Sequence, residues 1–335
     1  MSLPETAARC PVAMSPVREV LGKILPELGE RYQEIVVTDA DLSRSTGTYL
    51  FAAKHPKRFI SVGISEQEMM GVAAGLASSG KIPIVSTYAI FAAGRGWEQI
   101  RNTIARANLN VKIVATHAGM SAGPDGASHQ SLEDVAVMRV IPNMTVVMPS
   151  SVFQAEKAIE ASIRRDGPFY IRLGRVIPAD PALDSEFIVG KSAVVKDGCD
   201  VTIVANGLMV SEALSAALDL KKDGIEARVI DLHTIKPLDV NSLLSAARET
   251  GAIVTAEEHS VIGGLGGAVA EVLAERLPTA MEMVGVRDVF GESGDFRSLL
   301  VKHGLTAHGI AEAVRKALAR KNASLNPHRR GGRQR

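Results

Sequence analysis

RFISVGISEQEMMGVAAGLASSGKIPIVSTYAIF, residues 58–91, decides the fold. RFISVG is a short run with strand character. From Ile64 to Gly80 the pattern turns helical, and the segment is bounded at both ends. Ser65 stands at the N-cap and Glu68 follows three residues later, the spacing of a capping box. Gly80 stands where a helix stops. Small residues at positions 71, 73, 74, 75 and 77 predict a face that another backbone can approach closely. KIPIVSTYAIF is then a second strand running into a loop. Strand, helix, strand in this order is the repeating unit of a parallel sheet covered by helices.

The same alternation extends in both directions. Val17–Leu28 has helical spacing despite Pro26, and EIVVTDAD at 34–41 is a buried strand ending in carboxylates. Trp97–Ala107 reads as helix and VKIVATHAG at 111–119 as strand. LEDVAVMRVI is helical, MTVVMPSS returns as a strand, VFQAEKAIEASIRR is an amphipathic helix and PFYIRLGR a further strand. Pro178–Ser185, with two prolines and two aspartates, reads as a boundary. Beyond it the α/β alternation resumes: VTIVANG, SEALSAALDLKKDG, EARVIDLHTIKP, GAIVTAEEH, a helix over Gly266–Leu277 and a last one over Gly309–Ala319. The expected organisation is an α/β domain with a mostly parallel sheet at 13–180 and a smaller α/β domain at 187–320. A flexible basic tail is expected at 321–335.

Composition narrows the function classes. Hydrophobic residues make up 46 % of the 335 residues and aromatics only 4 %, so the core rests on Val, Ile, Leu and Ala. Thirty-eight basic residues against 37 acidic ones leave a formal charge of +1, which argues against nucleic acid and membrane as partners. Cys10 and Cys199 match no metal spacing and make no disulfide scaffold. No apolar stretch reaches the length of a membrane span, and the expected setting is cytoplasmic.

Chemistry concentrates at the strand ends. HAGMSAGPDGASHQ, residues 117–130, leaves the carboxyl end of a strand, where open α/β sheets bind ligands. Its His117, Asp125 and His129 can orient hydroxyls and move protons. Too few ligands stand close in sequence for a metal site, so none is assigned here. Other strand ends offer Asp39 and Asp41, Tyr88 and Phe91, and Arg172 and Arg175, while Glu66 opens the small-residue helix. Together these describe a cleft with carboxylate, aromatic, imidazole and guanidinium groups, a mixture suited to catalysis. Glu257, Glu258 and His259, in EEH, read as a subunit contact or a solvated loop. The GGLGG run that follows lacks the spacing of a dinucleotide fingerprint.

TDADLSRS, VGISEQEMMGVAAGLA, STYAIF, THAGMSAGPDGASHQSLED and RLGR, in that order, resemble the C-terminal half of a transketolase, and the resemblance covers nearly all of 13–320. It implies a pyrimidine-binding domain of a thiamine diphosphate enzyme followed by the transketolase C-terminal domain. It implies that Glu66 hydrogen-bonds the aminopyrimidine and that Phe91, with Tyr88 beside it, stacks on that ring. His117, Asp125 and His129 match sugar-contacting residues, with His129 the preferred proton-handling group. Arg175 matches a substrate-phosphate arginine, with Arg18 a second candidate and Arg172 a weaker one. The family's diphosphate-binding motif, GDG with asparagine ligands further on, is absent, since the only PDG lies inside the 117–130 loop. The resemblance therefore implies a split enzyme. An N-terminal transketolase subunit would hold the diphosphate and Mg2+ (or Ca2+), in an α2β2 assembly acting on sugar phosphates. The loop begins HAG where the family often has HDS, which leaves the sugar open. The competing readings are a 1-deoxyxylulose-5-phosphate synthase, a 2-oxoacid dehydrogenase beta subunit and a noncatalytic scaffold.

Overall fold

A computed structural model describes residues 13–179 and 186–325. The valine- and isoleucine-rich runs pair into two main sheets, with a separate two-stranded pair beside them in the strand list. In chain order the first part contributes β1 (Met14–Pro16), β2 (Ile35–Asp39), β3 (Phe59–Ser61), β4 (Ile82–Tyr88), β5 (Lys112–Thr116), β6 (Thr145–Val147), β7 (Phe169–Arg172) and β8 (Val176–Pro178). The second contributes β9 (Ala193–Lys196), β10 (Val201–Ala205), β11 (Ala227–Asp231), β12 (Thr234–Lys236), β13 (Ala252–Ser260) and β14 (Ala280–Val286). The larger sheet runs β12-β6-β7-β5-β4-β2-β3 and is parallel except at β12. The smaller runs β14-β13-β10-β11-β9, parallel except at β9. Strands β2, β5 and β10 are buried along their whole length, as expected of sheets covered on both faces.

The helix expected after RFISVG spans Glu66–Ser78 and is followed by Gly80 at φ +83°. The capping box does not form: Ser65 makes no side-chain bond at this helix start. The small residues divide between two environments. Ala73 and Ala74 are buried in the core, whereas a carbon added at Gly71 or Gly75 would meet nothing within 4 Å. Among the described residues no other backbone packs on that glycine face.

The stretch EARVIDLHTIKP is two strands and not one. It breaks after Asp231, and β12 leaves the smaller sheet to pair antiparallel with β6 of the larger. Polar bonds explain the crossing. Ser150 Oγ and Gln154 Nε2 donate to the buried Asp231 carboxylate at 2.5 and 2.7 Å, and Met148 N–H donates to His233 O at 2.7 Å. Pairing of β1 with β8 likewise brings residues far apart in sequence together at the start of the Val17–Arg31 helix. The last helix extends past the expected end near Ala319, spanning Ala307–Leu325. Lys321, placed in the tail by the sequence reading, donates to Asp200 O and Thr250 O at 3.1 and 2.7 Å. The rest of the expected tail, 326–335, lies outside the described residues, as do 1–12 and most of the Pro178–Ser185 boundary.

Candidate functional site

The carboxyl ends of β4 and β5 lie side by side, with Tyr88 in register with Thr116. The chain leaves β4 into a short helix, Ala89–Gly94, which carries Phe91 onto the same face as Tyr88. The two rings lie nearly parallel, 5.6 Å apart at an interplanar angle of 11°. After β5, His117 takes a left-handed backbone conformation, φ +56°, uncommon outside glycine. That turn lays its imidazole on Tyr88, with centroids 4.0 Å apart. The loop returns through 3-10 turns at Met120–Asp125, and His129 meets the edges of Tyr88 and Phe91 at 6.0 and 5.3 Å. Tyr88, Phe91, His117 and His129 thus form one aromatic wall.

Glu66 opens its helix and is only 4 % exposed. Its Oε1 accepts a hydrogen bond of 2.9 Å from Arg95 Nη1. The same guanidinium lies over the Phe91 ring, 4.1 Å from its centre. Arg95 therefore places a planar N–H donor against Phe91 and onto the Glu66 carboxylate. The sequence reading missed it, although its position four residues after Phe91 puts it on the same helical face.

Burial lowers the His117 pKa to about 3, with help from the positive charge of Arg175 and from His129. His117 is therefore neutral near pH 7, with Nδ1 3.0 Å from Thr116 Oγ1. It suits hydrogen bonding to a hydroxyl better than carrying a proton. His129 is more accessible, and its Nδ1 meets Ser128 Oγ at 2.9 Å. Arg175 stands across the loop, donating to Ala122 O at 3.0 Å and lying 3.7 Å from the Asp125 carboxylate. Val17 N–H donates to Arg175 O at 3.0 Å, which joins the backbone next to the exposed Arg18 to that of Arg175 despite their separation in sequence.

Three sequence candidates serve elsewhere. Arg172 is 5 % exposed and is engaged in a buried network. It donates to Asp134 at 2.8 Å and to Ser131 O and Glu258 O at 3.0 Å each. Asp39 turns inward to close its own loop, accepting from Leu42 N–H and Thr48 Oγ1. Asp41, with φ +63°, forms part of the same turn. The EEH cluster is neither solvated nor a loop: it lies within β13, and all three side chains are buried. Glu257 accepts from Leu265 and Gly266 N–H at 2.7 and 2.8 Å, capping the Leu265–Arg276 helix. Glu258 accepts from Ser121 N–H inside the 117–130 loop.

The transketolase pyrimidine binding domain matches residues 14–177, and the transketolase C-terminal domain matches 190–310. The chain is 46 % identical over 302 residues to a Methanocaldococcus jannaschii protein whose name calls it a transketolase C-terminal section, covering 89 % of this chain and 95 % of that one. This chain belongs to the transketolase family. It is 44 % identical to a 6-deoxy-6-sulfo-D-fructose transketolase subunit of Clostridium sp. (strain MSTE9), over 91 % of this chain and 95 % of the relative. A solved structure described as a split gene transketolase, inactive beta4 tetramer, superimposes with a TM-score of 0.84 at 53 % identity, covering 91 % of this chain and 99 % of that one. Among the described residues no helix is long and apolar enough to cross a membrane.

Proposed function

We propose that this chain is the C-terminal subunit of a split transketolase, moving a two-carbon ketol unit from a ketose with an anionic terminus to an aldose phosphate. It acts with a separately encoded N-terminal subunit, in an assembly holding two copies of each. The arrangement at Glu66 carries the reading. A buried carboxylate and a ring face already hold a planar N–H donor, the Arg95 guanidinium, which is the chemistry an aminopyrimidine protonated at its ring nitrogen would present. Thiamine diphosphate fits this recess. Glu66 would hold its pyrimidine ring nitrogen and Phe91, with Tyr88, would cover the ring, once Arg95 has swung outward. The diphosphate and Mg2+ (or Ca2+) fall to the partner subunit. When bound, the cofactor supplies the carbon nucleophile of ketol transfer.

The remaining chemistry belongs to this chain. Glu66 holds a proton at the pyrimidine nitrogen. The aromatic wall excludes water from the reacting face. His117, neutral, hydrogen-bonds a sugar hydroxyl, and Asp125 accepts from another. His129 accepts and returns the hydroxyl proton as the carbon–carbon bond breaks and re-forms. Arg175, with Arg18 a second candidate, receives the anionic end of the sugar, for which a guanidinium fork is suited. The Clostridium relative, named for a sulfonated fructose, supports a donor whose far end is an anion other than the usual phosphate. The description of a related beta4 tetramer as inactive supports the need for a partner.

Calorimetric titration with thiamine diphosphate and Mg2+ tests the division of the site. Saturable binding is expected only when both subunits are mixed, and Phe91→Ala should weaken it about tenfold. Equal binding by this chain alone would contradict the proposal.

A further inference from the structure

The 117–130 loop is fastened from outside its own domain. Gly119 N–H donates to Ser131 O at 2.9 Å, which closes the loop on itself. The same Ser131 O accepts from Arg172 Nη2, and that nitrogen also donates to the main-chain O of Glu258 on β13. The Glu258 side chain then reaches back into the loop. Its Oε1 accepts from Ser121 N–H, while Ser121 Oγ donates to Ala118 O at 3.0 Å. Both residues are buried, so the contact is made without competing water.

Residue 119 is what lets the carboxylate in. A carbon added there would lie 2.6 Å from both Cδ and Oε1 of Glu258, and the backbone stands at φ +77°. Only glycine meets both conditions. The HAG sequence at 117–119, singled out as a departure from HDS, thereby acquires a physical reason: a serine at 119 would occupy the place of the Glu258 carboxylate.

We propose that Glu258 is a positioning residue, acting from the second domain through Ser121 and Gly119 to fix the loop that presents His117, Asp125 and His129. The inference rests on the functional reading given above only for its kinetic consequence; the fastening itself concerns this chain alone. Glu66, Tyr88 and Phe91 lie outside the fastened loop and meet it only through His117 and His129, so the cofactor side of the site is expected to lose less than the sugar side.

Two measurements test this. Hydrogen exchange on the full chain should show the Ser121 amide, and the 117–131 segment around it, losing protection about tenfold or more in Glu258→Ala. Glu258→Gln, which keeps an acceptor oxygen, should restore most of that protection. In the two-subunit complex, Glu258→Ala should raise the KM for the ketose and lower kcat, while the affinity for thiamine diphosphate falls far less than that for the ketose. Gly119→Ala should produce the same kinetic pattern, and the Gly119→Ala/Glu258→Ala pair should be far less than additive because both disturb one contact. Unchanged exchange in Glu258→Ala, or full additivity of the pair, would overturn the proposal. So would a loss of cofactor affinity matching the loss of ketose affinity. If the wild-type complex lacks ketol transfer, the functional reading fails, and the exchange experiment still decides the role of Glu258.

Discussion

Replacing Asp134 should damage the protein more than replacing any residue of the aromatic wall. Asp134 is fully buried, and its Oδ2 accepts from Tyr170 Oη at 2.7 Å and from Arg172 Nε at 2.8 Å. Arg172 is itself buried and carries its charge into the contact between the two domains. In Asp134→Ala the guanidinium would lose its ion-pair partner and keep two main-chain acceptors, Ser131 O and Glu258 O, with the Glu258 side chain the remaining carboxyl group to act on its charge. Breaking a buried pair of this kind costs about 3–5 kcal/mol. The orphaned tyrosine hydroxyl acts in the same direction. Arg172→Met strands the carboxylate instead, and the double variant strands neither, so the pair should couple by about 2–3 kcal/mol. Burial pushes the Asp134 carboxyl up, but the charge of Arg172, with His259 and the hydrogen bonds, holds it below its ordinary range. The contribution is therefore complete above about pH 4 and is lost as pH falls through the depressed folded value. Urea unfolding of the four proteins, followed by circular dichroism at pH 7, measures the cycle. A loss below about 1 kcal/mol in Asp134→Ala, the level of an exposed pair, or additive single losses, would refute the reasoning.

Further outcomes follow from the site. Glu66→Gln should leave the fold intact and cut ketol transfer by the two-subunit complex at least about 100-fold, the scale of a lost acid–base contact; near-normal turnover would remove Glu66 from its role. Arg95→Ala should strengthen thiamine diphosphate binding by about fivefold, since the half-exposed pair with Glu66 is worth about 1 kcal/mol and competes for the same carboxylate; weaker binding would show that Arg95 aids the cofactor. His117 should not titrate by NMR between pH 5 and 8. With its pKa lowered from 6.5 to about 3, the unfolded chain alone takes up that proton. Its contribution to stability should therefore decline as pH falls from about 6.5 towards 3, and a His117 resonance titrating near 6.5 would contradict the buried placement.

Much of the fold is legible in the sequence because hydrophobic runs and their punctuation are local. IVVTD, KIVAT and VTIVA read as strands and are strands, and Gly80 follows the end of its helix as read. Tertiary pairings are a different matter. Nothing in EARVIDLHTIKP announces that its last residues join another sheet, since that choice is made by Ser150 and Gln154 acting on Asp231. The strands β9 and β14 lack continuous burial and carry weaker patterns. The site shows the same division. Tyr88, Phe91, His117 and His129 follow from strand ends and come together as expected. Arg172 reads as a cleft arginine only while its partner Asp134, on another element, is out of sight. Glu258 reads as part of a subunit contact or solvated loop because EEH is a polar cluster at a strand end, whereas its partner is a main-chain N–H that no residue identity reveals.

One mixing experiment decides most directly whether this chain is half of a split transketolase. Ketol transfer is followed by a coupled assay for this chain, for its N-terminal partner and for the two together, with thiamine diphosphate and Mg2+ throughout. Xylulose 5-phosphate and a sulfonated ketose serve as donors, with ribose 5-phosphate as acceptor. Turnover of at least one donor by the mixture, and by neither chain alone, is the predicted result. A stable complex that binds thiamine diphosphate yet transfers no ketol unit from either donor would contradict it.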